Sequence, residues 1–162
     1  MKFISDQAYI SKFADIGDSI RGNTLTIEAG ARIESFVKIL FAGGNENIFI
    51  GQNSHVNSGT TLYSGNGIKI GNNVLIAANC TFAPVNHEYS SKEIPINQQG
   101  FRPSKGGIVI EDDVWIGAGT VLLDGTTIRT GAVIGAMSLV RGEIPAHSIH
   151  SGNPLKLMGY RK

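Results

Sequence analysis

The sequence predicts an all-β protein that forms a parallel β-helix, in which each coil contains three short strands. The main observation is a six-residue period, clearest over residues 110–145, where every row of six begins with an aliphatic residue. This period differs from the 3.6 of an α-helix and the 2.0 of a single strand, and it is typical of β-helices. Three rows then make one triangular coil of about 18 residues.

The same period extends upstream with interruptions. All fifteen row openings are apolar and are expected to fill the interior: Ile27, Ile33, Ile39, Ile50, Val56, Leu62, Ile70, Ile76, Phe82, Ile110, Ile116, Leu122, Ile128, Ile134 and Val140. The fifth place is mostly small or β-branched, as a narrow interior requires: Ala31, Val37, Ser54, Thr60, Val74, Cys80, Val114, Thr120, Thr126, Ala132 and Ser138. The fourth place often holds residue types that tolerate the left-handed backbone of a sharp corner: Gly30, Asn53, Gly59, Gly65, Asn73, Asn79, Asp113, Gly119, Gly125 and Gly131.

Row spacing locates the insertions. Small excursions are expected at residues 41–49 and 64–67, and Ile70 and Ile110 stand 40 positions apart, more than twice the length of one coil. A long loop must therefore leave the coil within residues 84–107. Loops of this length inside a compact domain are usually functional.

We expect one domain over residues 1–162, since 162 residues suit a single domain. Residues 1–15 are predicted as a short cap of helix or irregular strands, residues 16–145 as the β-helix and residues 146–162 as a C-terminal cap. After a turn at 151–154, Leu155, Leu157 and Met158 are expected to cover the top coil, because an end coil exposes unpaired strand edges.

The composition of the chain argues against several classes of protein. The 21 glycines and 17% charged residues suit an ordered, corner-rich solenoid, and a net charge of +1 without a basic stripe argues against nucleic acid as a partner. The single cysteine, Cys80, occupies an interior place and permits no disulfide within the chain. With no apolar signal core at the start and no long apolar run, we expect a cytoplasmic protein without stable membrane insertion.

Rows of the form [LIV]-G-x-x-[STAV]-x resemble those of the hexapeptide-repeat acyltransferases. The stretches IGNNVLIAANCTFAPVNHEY, VIEDDVWIGAGTVLLDGTTI and IPAHSIHSGNPLKLM are similar to the sugar O-acetyltransferase branch, which includes galactoside, maltose and polysaccharide-modifying enzymes. The resemblance covers roughly residues 16–158. It implies a left-handed β-helix, a homotrimer with sites between subunits, acetyl coenzyme A as acyl donor, no metal, and a sugar, nucleotide-sugar or polysaccharide-precursor acceptor.

Acetyl transfer to a hydroxyl group needs a general base, donors for the developing oxyanion and a positioned thioester. His87 stands in the long excursion, and its distance from Gly71 matches the spacing of glycine and catalytic histidine in the family. The alternative is an ordinary surface histidine, which is what we expect of His55, His147 and His150. Glu88 is a candidate to orient the His87 imidazole.

The resemblance also assigns the remaining site residues. Asn57 matches an asparagine that contacts the acceptor, although it is equally compatible with a plain corner residue. Trp115 matches the cleft tryptophan of the motif D-V-W-I-G, the alternative being interface packing. The donor's pantetheine arm would run beside Ala118 and Ala136, with the Ala118 N–H as oxyanion donor. The donor phosphates would meet two cations: Lys156, which matches a family cation, and Arg141, which with Gly142 stands where the family often has Thr-Lys.

Row positions predict a site shared between chains. Asn57 and Trp115 fall near the junction of the first and second rows of their coils, whereas His87 falls near the junction of the third row and the first. One six-residue face spans up to about 20 Å at ~3.3 Å per residue. We therefore expect these residues to meet across a trimer interface.

Three alternatives remain. Amino-sugar N-acetylation would use the same base and donor with an amine acceptor. A γ-class carbonic anhydrase needs three histidines on zinc, whereas the neighbours of His87 are Glu88, Tyr89 and, further on, Lys92. A non-catalytic β-helix scaffold leaves the long excursion unexplained.

Overall fold

The computed structural model describes residues 1–162, which form a parallel β-helix with three sheets. From β1 to β20, successive strands along the chain join sheets 1, 2 and 3 in turn, so each complete coil adds one strand to each sheet. The only regular element that is not a strand is a 3₁₀ turn at Ile96–Gln98. The predicted all-β architecture with parallel sheets is confirmed. No helix has the length and apolar character needed to cross a membrane.

The three sheets have the following strands. Sheet 1 contains β1 (Lys2–Ile4), β4 (Leu25–Ile27), β7 (Ile48–Ile50), β10 (Ile68–Ile70), β13 (Ile108–Ile110), β16 (Thr127–Ile128) and β19 (Glu143–Ile144). Sheet 2 contains β2 (Tyr9–Ile10), β5 (Arg32–Ile33), β8 (His55–Val56), β11 (Leu75–Ile76), β14 (Trp115–Ile116), β17 (Val133–Ile134), β20 (Ser148–Ser151) and β21 (Lys156–Tyr160). Sheet 3 contains β3 (Asp15–Ile16), β6 (Lys38–Leu40), β9 (Thr61–Tyr63), β12 (Thr81–Ala83), β15 (Val121–Leu123) and β18 (Leu139–Val140).

Strand register aligns equivalent row positions from coil to coil. Ile70 pairs with Ile110 in sheet 1, and Phe82 pairs with Leu122 in sheet 3. All fifteen predicted row openings are buried, with at most 1% of their surface exposed. The prediction that they form the core is confirmed, and burial of each large aliphatic contributes about 1.5–3 kcal/mol to stability.

Backbone conformation follows the row position. All ten fourth-place Gly, Asn and Asp residues have positive φ, from 42° at Gly65 to 74° at Gly59. Phe36 and Met137 take the same place, with φ of 64° and 58°, and both side chains are exposed. The corner therefore imposes the left-handed conformation even on residue types that disfavour it.

Residues 1–15, predicted as a separate cap, belong to the first coil of the β-helix, which ends with Ile16. Strands β1, β2 and β3 pair in parallel with β4, β5 and β6. Ile4, Ile10 and Ile16 repeat the row openings, but Gln7 and Phe13 hold the fourth places without positive φ. Without the Gly, Asn or Asp signal, the period is too weak in the sequence to indicate another coil.

The C-terminal segment differs in part from expectation. Strands β19 and β20 continue sheets 1 and 2, and β21 returns antiparallel to β20. Leu155 packs against the core, whereas Leu157 and Met158 are 51% and 67% exposed, so the prediction that they cover the top coil is wrong. The reason is that β21 extends the edge of sheet 2 and does not cross the open end of the coil.

Four connections between sheets 3 and 1 are longer than the regular turn, and they include the two small excursions predicted from the sequence. Residues 17–24 connect β3 to β4, residues 41–47 connect β6 to β7, residues 64–67 connect β9 to β10, and residues 84–107 connect β12 to β13. β12, which ends where the 84–107 loop begins, pairs with β15 in the regular register, so the inserted residues do not interrupt sheet 3. The β-helix thus forms a continuous support from which the loop projects.

Candidate active site

The candidate residues lie at two corners of the coil. We call the stack of turns between sheets 3 and 1 the loop corner, because residues 84–107 leave the coil there. His87 and Glu88 follow β12 at this corner, Asp124 follows β15 one coil higher and Arg141 follows β18 another coil higher.

We call the stack of turns between sheets 2 and 3 the alanine corner. Ala118 follows β14, Ala136 follows β17 and Asn57 follows β8, all at this corner. Trp115 lies within β14 itself, because strands occupy the last and first places of each row. Sheet 2, with Trp115, is thus the side of the triangle opposite the loop corner. Lys156 begins β21 at the upper edge of sheet 2.

A short hairpin forms the base of the 84–107 loop. The backbone N–H of Glu88 donates to Gly100 O at 3.0 Å, and that of Arg102 donates to Asn86 O at 2.9 Å. His87 and Phe101 form an antiparallel bridge between these bonds. Two backbone segments of the loop therefore hold the histidine directly outside the coil.

The His87 side chain is exposed and has an aromatic neighbour. Its ring centroid lies 4.8 Å from that of Phe101, with the planes tilted by 33°. Neither ring nitrogen has a hydrogen-bond partner within the chain, so both are available to a ligand or another subunit. By contrast, His150 is half-buried beside the Ser148 hydroxyl, and burial lowers its pKa.

Glu88 makes no hydrogen bond or ion pair with the His87 ring within the chain. Its Oε1 accepts hydrogen bonds from the backbone N–H groups of Tyr89 and Ser90, at 2.8 and 2.9 Å. These two bonds, that of Ser90 being the stronger influence, lower the pKa of the Glu88 carboxyl. The expectation that it orients the imidazole is therefore corrected: adjacent side chains diverge along an extended segment, and this carboxylate stabilises the turn that follows.

A cleft of about 690 Å³ opens beside His87. The loop lines one side and the turns at Asp124 and Arg141 line the other. Asp124 connects the two sides: its Oδ1 accepts from Asn86 Nδ2 at 2.6 Å, and its Oδ2 accepts from the Lys105 N–H at 2.9 Å.

On sheet 2, the Trp115 side chain is 49% exposed between Leu75 and Val133 of the adjoining strands. Leu75 is also 44% exposed, so the indole belongs to an apolar surface. Asn57 donates from Nδ2 to Ile76 O at 2.7 Å, which leaves its Oδ1 as an available acceptor.

The turns of the alanine corner present free backbone donors. The N–H groups of Ala118 and Ala136 have no partner within the chain, although those of Gly119 and Met137 beside them do. A side chain at Gly117 would clash with the backbone of Ala136, so successive turns are in close contact. The same N–H is free at Ala78, so free donors are a general property of this corner.

No three His, Cys, Asp or Glu side chains lie close enough together to hold a metal ion. The chemistry that the site offers is acid–base chemistry at an imidazole, hydrogen bonding by backbone N–H groups and attraction of anions by exposed cations.

Two family models match the chain, one described as bacterial transferase hexapeptide over residues 107–142 and the other as hexapeptide repeat of succinyl-transferase over residues 46–82. The chain is 32% identical to the galactoside O-acetyltransferase of Escherichia coli over 164 aligned positions, which cover 86% of this chain and 77% of that protein. The protein belongs to the hexapeptide-repeat acyltransferases.

Other relatives agree with this membership. The acyltransferase is 30% identical to the putative lipopolysaccharide biosynthesis O-acetyl transferase of Escherichia coli, over 85% of this chain and 69% of the relative. A hexapeptide-repeat acetyltransferase of Vibrio cholerae, solved with acetyl coenzyme A, superposes with a TM-score of 0.69 and 27% identity, over 87% of this chain and 72% of that one.

Several residues of the acyltransferase's cleft were missed from the sequence. Arg102, Lys105 and Tyr89 lie in the loop, where no period predicts side-chain direction. Asp124 could have been found from the sequence, because aligning the rows places it next to Pro84, the first residue of the loop. The sequence thus contained a signal for the loop anchor but none for the loop cations.

Proposed function

We propose that this acyltransferase moves an acetyl group from acetyl coenzyme A to a hydroxyl of a sugar or a polysaccharide precursor. The observation that carries the proposal is the division of the candidate residues between two corners of the β-helix, with His87 at the loop corner and Ala118 at the alanine corner. The sugar hydroxyl as acceptor is supported by relatives named galactoside O-acetyltransferase and lipopolysaccharide biosynthesis O-acetyl transferase.

The proposal includes a left-handed β-helix and a homotrimer. Sheet 3 separates the loop corner from the alanine corner, and a six-residue side spans up to about 20 Å. A threefold axis would set the loop corner of one subunit against the alanine corner of its neighbour. Each site would then combine His87 of one chain with Trp115 and Ala118 of another.

In this site His87 acts as general base. A ring nitrogen takes the proton of the acceptor hydroxyl while the oxygen of that hydroxyl attacks the carbonyl carbon of the thioester. The carbon–sulfur bond then breaks, and the proton passes to the leaving thiolate, so the products are an acetyl ester and a free thiol. Imidazole suits this role because it exchanges protons near neutral pH.

Backbone and cationic groups complete the proposed site. The Ala118 N–H donates to the oxygen that becomes negative during attack, which is supported by its lack of a partner within the chain. Ala136 leaves room for the pantetheine arm along the upper coils. Arg141 and Lys156, both exposed, would pair with donor phosphates.

Trp115 and Asn57 are assigned to the acceptor. An exposed indole provides a flat apolar wall for a sugar ring, and Asn57 Oδ1 accepts a hydrogen bond from a sugar hydroxyl. Glu88 keeps a positioning role through the turn after His87. We place the reaction in the cytoplasm, with which the free, buried thiol of Cys80 is compatible.

The test is a thiol-release assay with acetyl coenzyme A over a panel of sugars and nucleotide sugars. His87→Ala should lower kcat by roughly 100- to 10,000-fold, the usual value of a general base. Because the His87 ring is exposed, the melting temperature of the His87→Ala variant should stay within about 2 °C of that of the parent protein. Full activity of His87→Ala would overturn the mechanism. A base-stable amide product in place of a labile ester would instead indicate N-acetylation.

A second test addresses the shared site. His87→Ala and Trp115→Ala chains, each weakly active alone, are unfolded and refolded together. If sites form between subunits, random mixing returns about a quarter of them with both native residues. Recovery of activity on mixing, with none when either variant is refolded alone, supports the trimer; no recovery contradicts it.

A further inference from the structure

The cleft at the loop corner is positively charged. Three cationic side chains, Arg102, Lys105 and Arg141, line it together with one carboxylate, that of Asp124. Both oxygens of that carboxylate already accept hydrogen bonds, one from Asn86 and one from the Lys105 N–H. The cations therefore exceed the negative charge in the cleft, and the carboxylate has a structural role.

Two contacts hold the Arg102 guanidinium at the cleft. Its central carbon lies 4.9 Å from the centroid of the Tyr89 ring. Its Nε lies 3.9 Å from Glu88 Oε2, which is too far for a hydrogen bond. The side chain is 45% exposed, so the terminal nitrogens remain free to bind an oxyanion in bidentate fashion.

The other two cations have no acidic partner. The six ion pairs of the chain include neither the Lys105 ammonium nor the Arg141 guanidinium. Unpaired cations that converge on a concave site are neutralised most readily by a bound anion.

We propose that the loop side of this cleft, formed by Arg102 and Lys105, binds an anionic group of the acceptor, a phosphate or a carboxylate. The acyltransferase would then prefer a negatively charged sugar. This inference rests on the proposed function, because it takes His87 as the reacting base. Arg102 and Lys105 belong to the same loop as that base. Arg141, a cation proposed for the donor phosphates, follows β18 two coils higher, and the long pantetheine arm separates those phosphates from the thioester. An anion held beside the base therefore belongs to the acceptor.

The experiment compares galactose, galactose 1-phosphate and galacturonate in the presence of coenzyme A. Calorimetry measures their binding, and thiol release from acetyl coenzyme A measures their kcat/KM. We expect at least one anionic sugar to bind roughly tenfold or more tightly than galactose, the effect of a charge-assisted pair. Arg102→Gln and Lys105→Gln should remove most of this preference. Arg21→Gln, an exposed arginine that lies three coils below the loop and does not line the cleft, should keep it.

Each outcome has a definite meaning. Equal binding of the three sugars, or binding of none, overturns the anion site. A rise in KM for acetyl coenzyme A in Arg102→Gln, with acceptor binding unchanged, assigns the anion to the donor and also overturns it. An anion preference that depends on Arg102 but comes without thiol release supports the anion site and defeats the proposed function. Preference for phosphate over carboxylate, or the reverse, identifies the anionic group.

Discussion

The coil and the 84–107 loop are stabilised in opposite ways. In the coil, every sixth side chain is buried, and parallel backbone hydrogen bonds repeat from one coil to the next. In the loop, no residue from 86 to 107 is fully buried. The loop is held by the hairpin at its base, by Asp124, and by the Gly125 N–H, which donates to the carbonyl oxygens of Gly106 and Gly107.

This difference explains where chemistry can reside. In the coil the period determines whether a side chain points inward or outward, so an inward substitution affects packing. The loop projects His87, Arg102 and Lys105 from one corner of the β-helix without disturbing the strand register. The rigid repeat provides position, and the irregular insert provides reactive groups.

Two phenylalanines give the strongest test of this comparison. Phe82, in the coil, is fully buried, whereas Phe101, in the loop, is 49% exposed against the His87 ring. We expect Phe82→Ala to lower the free energy of unfolding by about 3–5 kcal/mol, through lost burial and a cavity. Phe101→Ala should change it by less than about 0.5 kcal/mol, yet lower kcat/KM roughly tenfold, because misplacement of a catalytic group is costly.

Urea unfolding and thiol release measure the two effects on the same samples. Phe101→Leu, which keeps an apolar contact, serves as the matched control and should retain more activity than the alanine variant. A large loss of stability in Phe101→Ala would contradict the separation between coil and loop.

Most of the coil could be predicted from the sequence because its physical rules are local. Row openings such as Ile116 must be apolar, and corners such as Asn73 must tolerate positive φ, so both requirements produce a periodic trace, that is, a residue pattern that repeats every six positions of the sequence. The first coil lacked that trace, since Gln7 and Phe13 replace the usual corner types. The trace also ends near residue 145, where chain reversal into β21 depends on edge pairing.

The site was predictable only where it touches the coil. Trp115, Ala118 and Arg141 hold definite row positions, so the period indicates the corner or sheet to which each belongs. Glu88 was misassigned because its hydrogen bonds are made within an irregular turn. The contact of Arg102 with Tyr89 spans the base of the loop hairpin, and no spacing rule predicts it.

A smaller effect is expected at the anchor that joins the two regions. Asp124→Ala removes both acceptors that hold Asn86 and the Lys105 N–H. We expect kcat/KM to fall about tenfold and the loop to be cleaved faster by protease, because the loop loses its anchor to the coil. Asp112→Ala, at a coil corner where the carboxylate accepts from Asn72, is the control and should leave activity unchanged. Equal protease sensitivity of the two variants would show that Asp124 is not an anchor.

The smallest effect on stability is expected at Glu111, whose carboxylate forms hydrogen bonds to the next coil. Glu111 Oε1 accepts from Arg129 at 2.8 Å, and Oε2 accepts from the Thr130 N–H at 2.8 Å. The Arg129 bond, followed by that of Thr130, lowers the pKa of the Glu111 carboxyl. Its side chain is 33% exposed, so solvent weakens the pair, and we expect Glu111→Gln to cost only about 1 kcal/mol at pH 7.

The pH dependence of that cost distinguishes a charge effect from a packing effect. A carboxyl whose pKa is lower in the folded state stabilises the fold above its unfolded pKa, and this contribution is lost as pH falls through the folded pKa. The difference between the parent and Glu111→Gln should therefore shrink between pH 7 and pH 3, measured by urea unfolding at one protein concentration. Glu93→Gln, an exposed loop residue without an ion pair, should show no difference at either pH. If the loss of unfolding free energy in Glu111→Gln did not change with pH, the contact of Glu111 with the next coil would stabilise the fold through packing and not through charge. The surface of the coils would then depend on packing as their interior does.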